Sequence, residues 1–167
     1  MADDDEWRDR QGIADALHAY CRLVDQNRPD EAAAVFTADC TWKYRRGDDA
    51  VQTGRDALAA HMAQSLVGMR ATSHHLSNLE ITFTGPGTAR VDSYVSAVHF
   101  FEDDRPEFQI WARYHDGFVK TDEGWRIADR RVTVAGELNG HGPAAWEPIE
   151  RRPSGADADA DVSRSAG

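Results

Sequence analysis

The sequence predicts an α+β fold in which helices come first and a meander of long antiparallel strands follows. Three observations carry this. Between Trp7 and Gln26 apolar residues recur every three or four positions. From Ser73 onward the pattern changes to an alternation with a period of two. The alternating stretches are divided by turn signals, Gly85-Pro86-Gly87 and Asp122-Glu123-Gly124.

In the first helix, Ile13, Leu17, Tyr20 and Val24 form one apolar face, and the helix is expected to stop near Asn27 because Pro29 disfavours helical geometry just before it. Asp30 and Glu31 then open a short second helix, with acids at its positive end and Val35-Phe36 as its buried anchor. Cys40 to Arg45 alternates as a strand with Trp42 and Tyr44 on one face, and Gly47-Asp48-Asp49 is a turn. A third helix is expected from about Arg55 to Val67, with Leu58, Met62 and Leu66 four residues apart. The long strands follow as Ser73 to Phe83, Ala89 to Phe101, Phe108 to Lys120 and Trp125 to Ala135.

Composition restricts the class of function. The chain has 167 residues and a net charge of −10, with four acids, Asp3, Asp4, Asp5 and Glu6, before the first aromatic residue. No Lys/Arg stripe offers a surface for nucleic acid or an anionic membrane, so neither is an expected partner. There is no basic-then-apolar leader at the start and no apolar run of about 20 residues, which points to the cytoplasm. Cys21 and Cys40 read as reduced structural thiols. The sequence has no HExxH, GxSxG, P-loop or GxGxxG, and its histidines and cysteines do not cluster, so neither a metal nor a cofactor is expected. One domain is expected over residues 7–140. A tail over 141–167 is expected to be largely disordered from about 151, Trp146 and Ile149 being able to fold back over a pocket mouth.

Several passages in order resemble the SnoaL-like branch of the nuclear-transport-factor-two-like superfamily: AYCRLVDQNRPDEAAAVFTADCTW, Gly54-Arg55-Asp56-Ala57, SHHLSNLEI, TARVDSYVSAVHF and ARYHDGFVKTDEGWRIADRRV. The resemblance spans about residues 7–136 and implies an α+β cone, a curved sheet wrapped around the long first helix to leave a pocket. Such proteins include polyketide cyclases, steroid isomerases, scytalone and bile-acid dehydratases and dehydrohalogenase-like lyases, but also non-catalytic subunits, so function rests on the site.

Asp25 ends the first helix beyond Leu23-Val24, and a carboxylate held against apolar walls is expected to have a raised pKa. The resemblance pairs it with a histidine four residues before Asn78, which is His74. Strict alternation instead puts His75 on the apolar side with Ser77, Leu79, Ile81 and Phe83; a bulge between the histidine and Leu79 would reconcile the two. A carboxylate on one imidazole nitrogen fixes the tautomer and stabilises the imidazolium, so such a dyad can remove a proton beside a carbonyl without metal. The resemblance also implies a phenol donor at Tyr20, a leaving-group arginine at Arg130 (with Arg126 and Arg131 as rivals) and a second histidine at His99. Trp42, Tyr44, Met69, Phe100 and Trp111 are candidate walls, and Asp92 is a candidate second acid for hydration chemistry. The expected activity is that of a cofactor-independent lyase or isomerase on an apolar small molecule, working as a dimer or trimer. The alternative is a non-catalytic binding or assembly module.

Overall fold

The computed structural model describes residues 2–47 and 50–151. Helix α1 (Ala2–Asp25) leads, followed by α2 (Pro29–Ala33), β1 (Phe36–Lys43), β2 (Val51–Thr53) and α3 (Arg55–Ser65). Four long strands complete the body: β3 (Met69–Gly85), β4 (Thr88–Phe101), β5 (Phe108–Thr121) and β6 (Gly124–Leu138). They form one six-stranded sheet in the order β2-β1-β6-β5-β4-β3, antiparallel except where β1 runs parallel to β6. This is the expected α+β cone: a long helix held against a mixed sheet.

Helix α1 begins earlier than the apolar pattern does. Its acidic start suits the positive end of a helix, and Arg8 and Arg10 pair back to Asp4, Asp5 and Glu6 one turn earlier. It stops where expected: Asn27 adopts a left-handed φ of 54°, and the N–H groups of Asn27 and Arg28 bond back to the carbonyls of Val24 and Leu23. Pro29 occupies the first turn of α2, where its missing N–H is no loss. Phe36 is fully buried but opens β1 instead of anchoring α2, and β2 was not foreseen. Ile13, Leu17 and Val24 of α1 pack with Phe36, Val91, Phe118 and Ile127 in the core; each such side chain contributes about 1.5–3 kcal/mol by leaving water.

The bulge needed to reconcile the two histidine readings is present. Ser77 pairs with Tyr94 and Glu80 with Asp92, so three steps on β3 match two on β4. Asn78, inside the bulge, has a left-handed φ of 50°, a conformation its short polar side chain tolerates. The extra residue inverts the facing. Leu76 before the bulge and Ile81 and Phe83 after it all pack against the core.

The chain then returns across the sheet. A short turn at Pro143–Ala145 leads to Trp146, which is only 8% exposed. Trp146 Nε1 donates to Glu137 at 2.8 Å, the Val134 N–H donates to the Glu147 carbonyl at 2.8 Å, and Lys43 and Arg131 both bridge the Glu147 carboxylate. Ile149 is half-buried, and the tail expected to be disordered lies almost wholly outside the described residues. Among the described residues no helix is long and apolar enough to cross a membrane.

Candidate active site

Asp25 projects from the last turn of α1 toward β3, where it accepts three hydrogen bonds. The Thr72 hydroxyl donates at 2.8 Å, the His74 backbone N–H at 2.9 Å, and His74 Nδ1 at 2.7 Å. Burial opposes the carboxylate charge, but the His74 side chain, the His74 N–H and the Thr72 hydroxyl together hold Asp25 below the usual carboxylate range. The expected upward shift is therefore corrected: a carboxylate with three donors stays ionised. An ionised carboxylate only accepts, so Nδ1 of His74 carries a ring proton, and in the neutral ring the lone pair is then on Nε2. His75 points to the opposite face, where its Nε2 meets the Ser73 hydroxyl at 3.0 Å.

His99, one strand over on β4, meets the His74 ring edge-on at 5.4 Å between centroids. Burial, helped by His74, pushes its pKa down to about 4, while a bond to the Phe108 carbonyl opposes the shift. His99 is thus neutral at pH 7. Its Nδ1 donates to Phe108 at 3.3 Å. From His99 the rings continue through Phe108 and His141 to Trp146.

The dyad lies in a cleft of about 380 Å³ between α1 and β3, where His18, Cys21, Arg22 and Asp25 face His74 and Leu76. His18, Cys21, Arg22 and Gln26 were missed from sequence, although His18, Cys21, Arg22 and Asp25 stand at i, i+3, i+4 and i+7, the spacing of one helix face. Burial drives the Cys21 thiol up to about 12, which disfavours the nucleophilic thiolate.

Several expected site residues occupy other surroundings. Tyr20 is buried in the core, its hydroxyl 3.1 Å from that of Tyr44, which with Trp42 and His61 makes an aromatic group beside α3. Arg130 does not line the cleft. Its Nε and Nη2 each bond Asp116 at 2.8 Å, with Tyr20 and Tyr114 over the guanidinium. Burial disfavours that charge and Asp116 overcomes it, holding Arg130 well above its ordinary value. Its rivals are paired elsewhere, Arg126 with Glu123 and Arg131 with Glu147. Phe100 and Trp111 are exposed on the outer face of the sheet, away from the dyad, and Met69 only begins β3. Asp92 is also on that outer face, bonded to His115.

A family model described as a SnoaL-like domain matches residues 5–131. The chain belongs to the SnoaL-like family. This SnoaL-like chain is 33% identical over 135 residues to an uncharacterised protein of Mycobacterium tuberculosis, a match covering 77% of this chain and 86% of that one. Among solved structures it is similar to a protein of Novosphingobium aromaticivorans to which scytalone dehydratase activity is provisionally assigned. The TM-score is 0.82 at 31% identity, over 92% of this chain and 100% of that chain. A hexachlorocyclohexane dehydrochlorinase from Novosphingobium barchaimii shares the fold, with a TM-score of 0.70 at 16% identity over 91% and 99% of the two chains.

Proposed function

We propose that this SnoaL-like chain is a cofactor-independent acid–base lyase or isomerase: a dehydratase, cyclase or double-bond isomerase acting on a small apolar polycyclic, polyketide or steroid-like substrate. One observation carries the reading, the 2.7 Å bond between His74 Nδ1 and Asp25 beside an open cleft. In this reading His74 Nε2 takes a proton from the carbon beside a carbonyl or leaving group, and Asp25 stabilises the imidazolium that results. His74 then returns the proton to the rearranged product or the departing hydroxyl. Neutral His99 bounds the site on the β4 side. Enzymatic relatives of the same fold support the reading.

The competing reading, a non-catalytic binding module, gives a different outcome in one experiment. Fused-ring ketones incubated with the protein in heavy water are followed by mass spectrometry. Exchange of the protons next to the carbonyl above the buffer rate supports the enzyme; raised melting temperature without exchange supports the module. We also assign a homo-oligomer, dimer or trimer, through the outer sheet face. Tyr94, Phe100 and Trp111 are exposed there. Light scattering coupled to gel filtration tests it, and a monomer at all concentrations contradicts it.

A further inference from the structure

The bulge at Asn78 does more than turn His74 inward. It opens a second chamber of about 80 Å³ between α1 and β3, walled by Leu17, His18, Leu76, Asn78 and Leu79 and reaching Ser93 on β4. This chamber and the dyad cleft share His18 and Leu76 as a common wall, so they are neighbours along one groove. Ser93 is 1% exposed, and its hydroxyl has no hydrogen-bond partner among the described residues. A buried hydroxyl left unpaired is costly, and its position in a chamber walled by Leu17, Leu76 and Leu79 as well as by His18, Ser77 and Asn78 suits a ligand that completes the bond.

We propose that the Ser93 chamber is a recognition subsite for a hydroxyl or carbonyl at the far end of an elongated, otherwise apolar substrate. The proposal rests on the acid–base reading above, with the reacting end of that substrate at Asp25 and His74. The span follows from strand geometry. Ala97, the β4 partner of His74, and Ser93 are four residues apart on β4, about 13 Å along an extended strand. A tricyclic or tetracyclic skeleton spans that distance and a single ring does not. The chamber has room for a polar group and the ring edge that bears it, while Leu17, Leu76 and Leu79 cover the apolar body.

The test uses two probes, 5α-androstan-3-one and its 17β-hydroxy counterpart, with wild type and Ser93→Ala. Affinity is read from quenching of tryptophan fluorescence, and turnover from deuterium exchange beside the 3-ketone. Wild type is expected to bind the hydroxylated probe about three- to tenfold more tightly, the usual worth of one net hydrogen bond. Ser93→Ala should abolish that preference, leave affinity for the plain ketone unchanged and keep the melting temperature, because it removes a hydroxyl with no protein partner. Equal affinities in wild type, no binding of either probe, or a preference that survives Ser93→Ala overturns the subsite; the first two also cover a chamber that holds only water or a different ligand class. Preference without exchange in any variant overturns the acid–base reading and supports the subsite as a binding feature.

Discussion

Replacing Asp25 by Asn alters one atom and tests three hydrogen bonds at once. Oδ1 of Asp25 accepts from the Thr72 hydroxyl and His74 Nδ1, and Oδ2 accepts from the His74 backbone N–H. An amide can copy only one of these two faces. With its oxygen toward the ring, its NH₂ opposes the His74 N–H; reversed, the NH₂ faces Nδ1 and forces the ring proton onto Nε2, which removes the base. In both orientations the negative charge that stabilises the imidazolium is gone. A positioned acid–base group contributes about 10²–10⁴ in rate, so turnover should fall at least about a hundredfold. The fold should persist. One lost hydrogen bond costs about 1–2 kcal/mol, or a few degrees of melting temperature in a chain of this size. Deuterium exchange on a fused-ring ketone, with circular dichroism as the folding control, measures both. A folded Asp25→Asn protein exchanging at the wild-type rate would refute the dyad.

Three further predictions concern residues around it. Arg130→Met should lower stability by about 3–5 kcal/mol, because it leaves the Asp116 charge buried and unpaired; a variant with normal melting temperature and selectively lost turnover would instead restore Arg130 to a pocket role. His99 has a pKa of about 4 against an ordinary 6.5, so its contribution to stability is full above about pH 6.5 and is lost as pH falls through 4. Melting temperature should drop across that window and His99→Gln should flatten the drop, whereas the stabilisation from Asp25 is retained until pH falls below its ordinary 3.8. Trp146→Ala should cost about 3–5 kcal/mol as a buried aromatic, read by thermal melting; no change would show that the returning segment is not docked.

Much of this was legible in the sequence because it rests on local rules. The two periodicities located α1, α3 and β3 to β6, the left-handed Asn27 with the following Pro29 closed α1, and Asp25 followed from its place at that end. Alternation alone chose His75, since it assumes an unbroken strand, and Asn78 is an inserted residue that reverses the facing. Asn at 78 was the available signal, as a residue suited to a left-handed φ within an apolar stretch. Arg130 looked like a pocket arginine because its ion partner, Asp116, lies fourteen residues away on the next strand, a pairing that depends on register. Phe100 and Trp111 were misplaced for a related reason: large aromatics were read as walls, and among the described residues no helix covers the outer face of the sheet. The cleft residues of α1 were overlooked because His18, Cys21 and Arg22 look like a mixed surface until β3 is laid against them.

The central claim is that His74, oriented by Asp25, is the base. Its most direct test is the pH dependence of kcat/KM for ketone exchange in wild type, His74→Ala and His75→Ala. Only one of two adjacent strand residues can reach Asp25, and His75 instead faces Ser73. His74→Ala should lose most of the rate and the fall of activity toward acid pH, while His75→Ala should keep both. An inactive His75→Ala beside an active His74→Ala with the acid limb intact would contradict it.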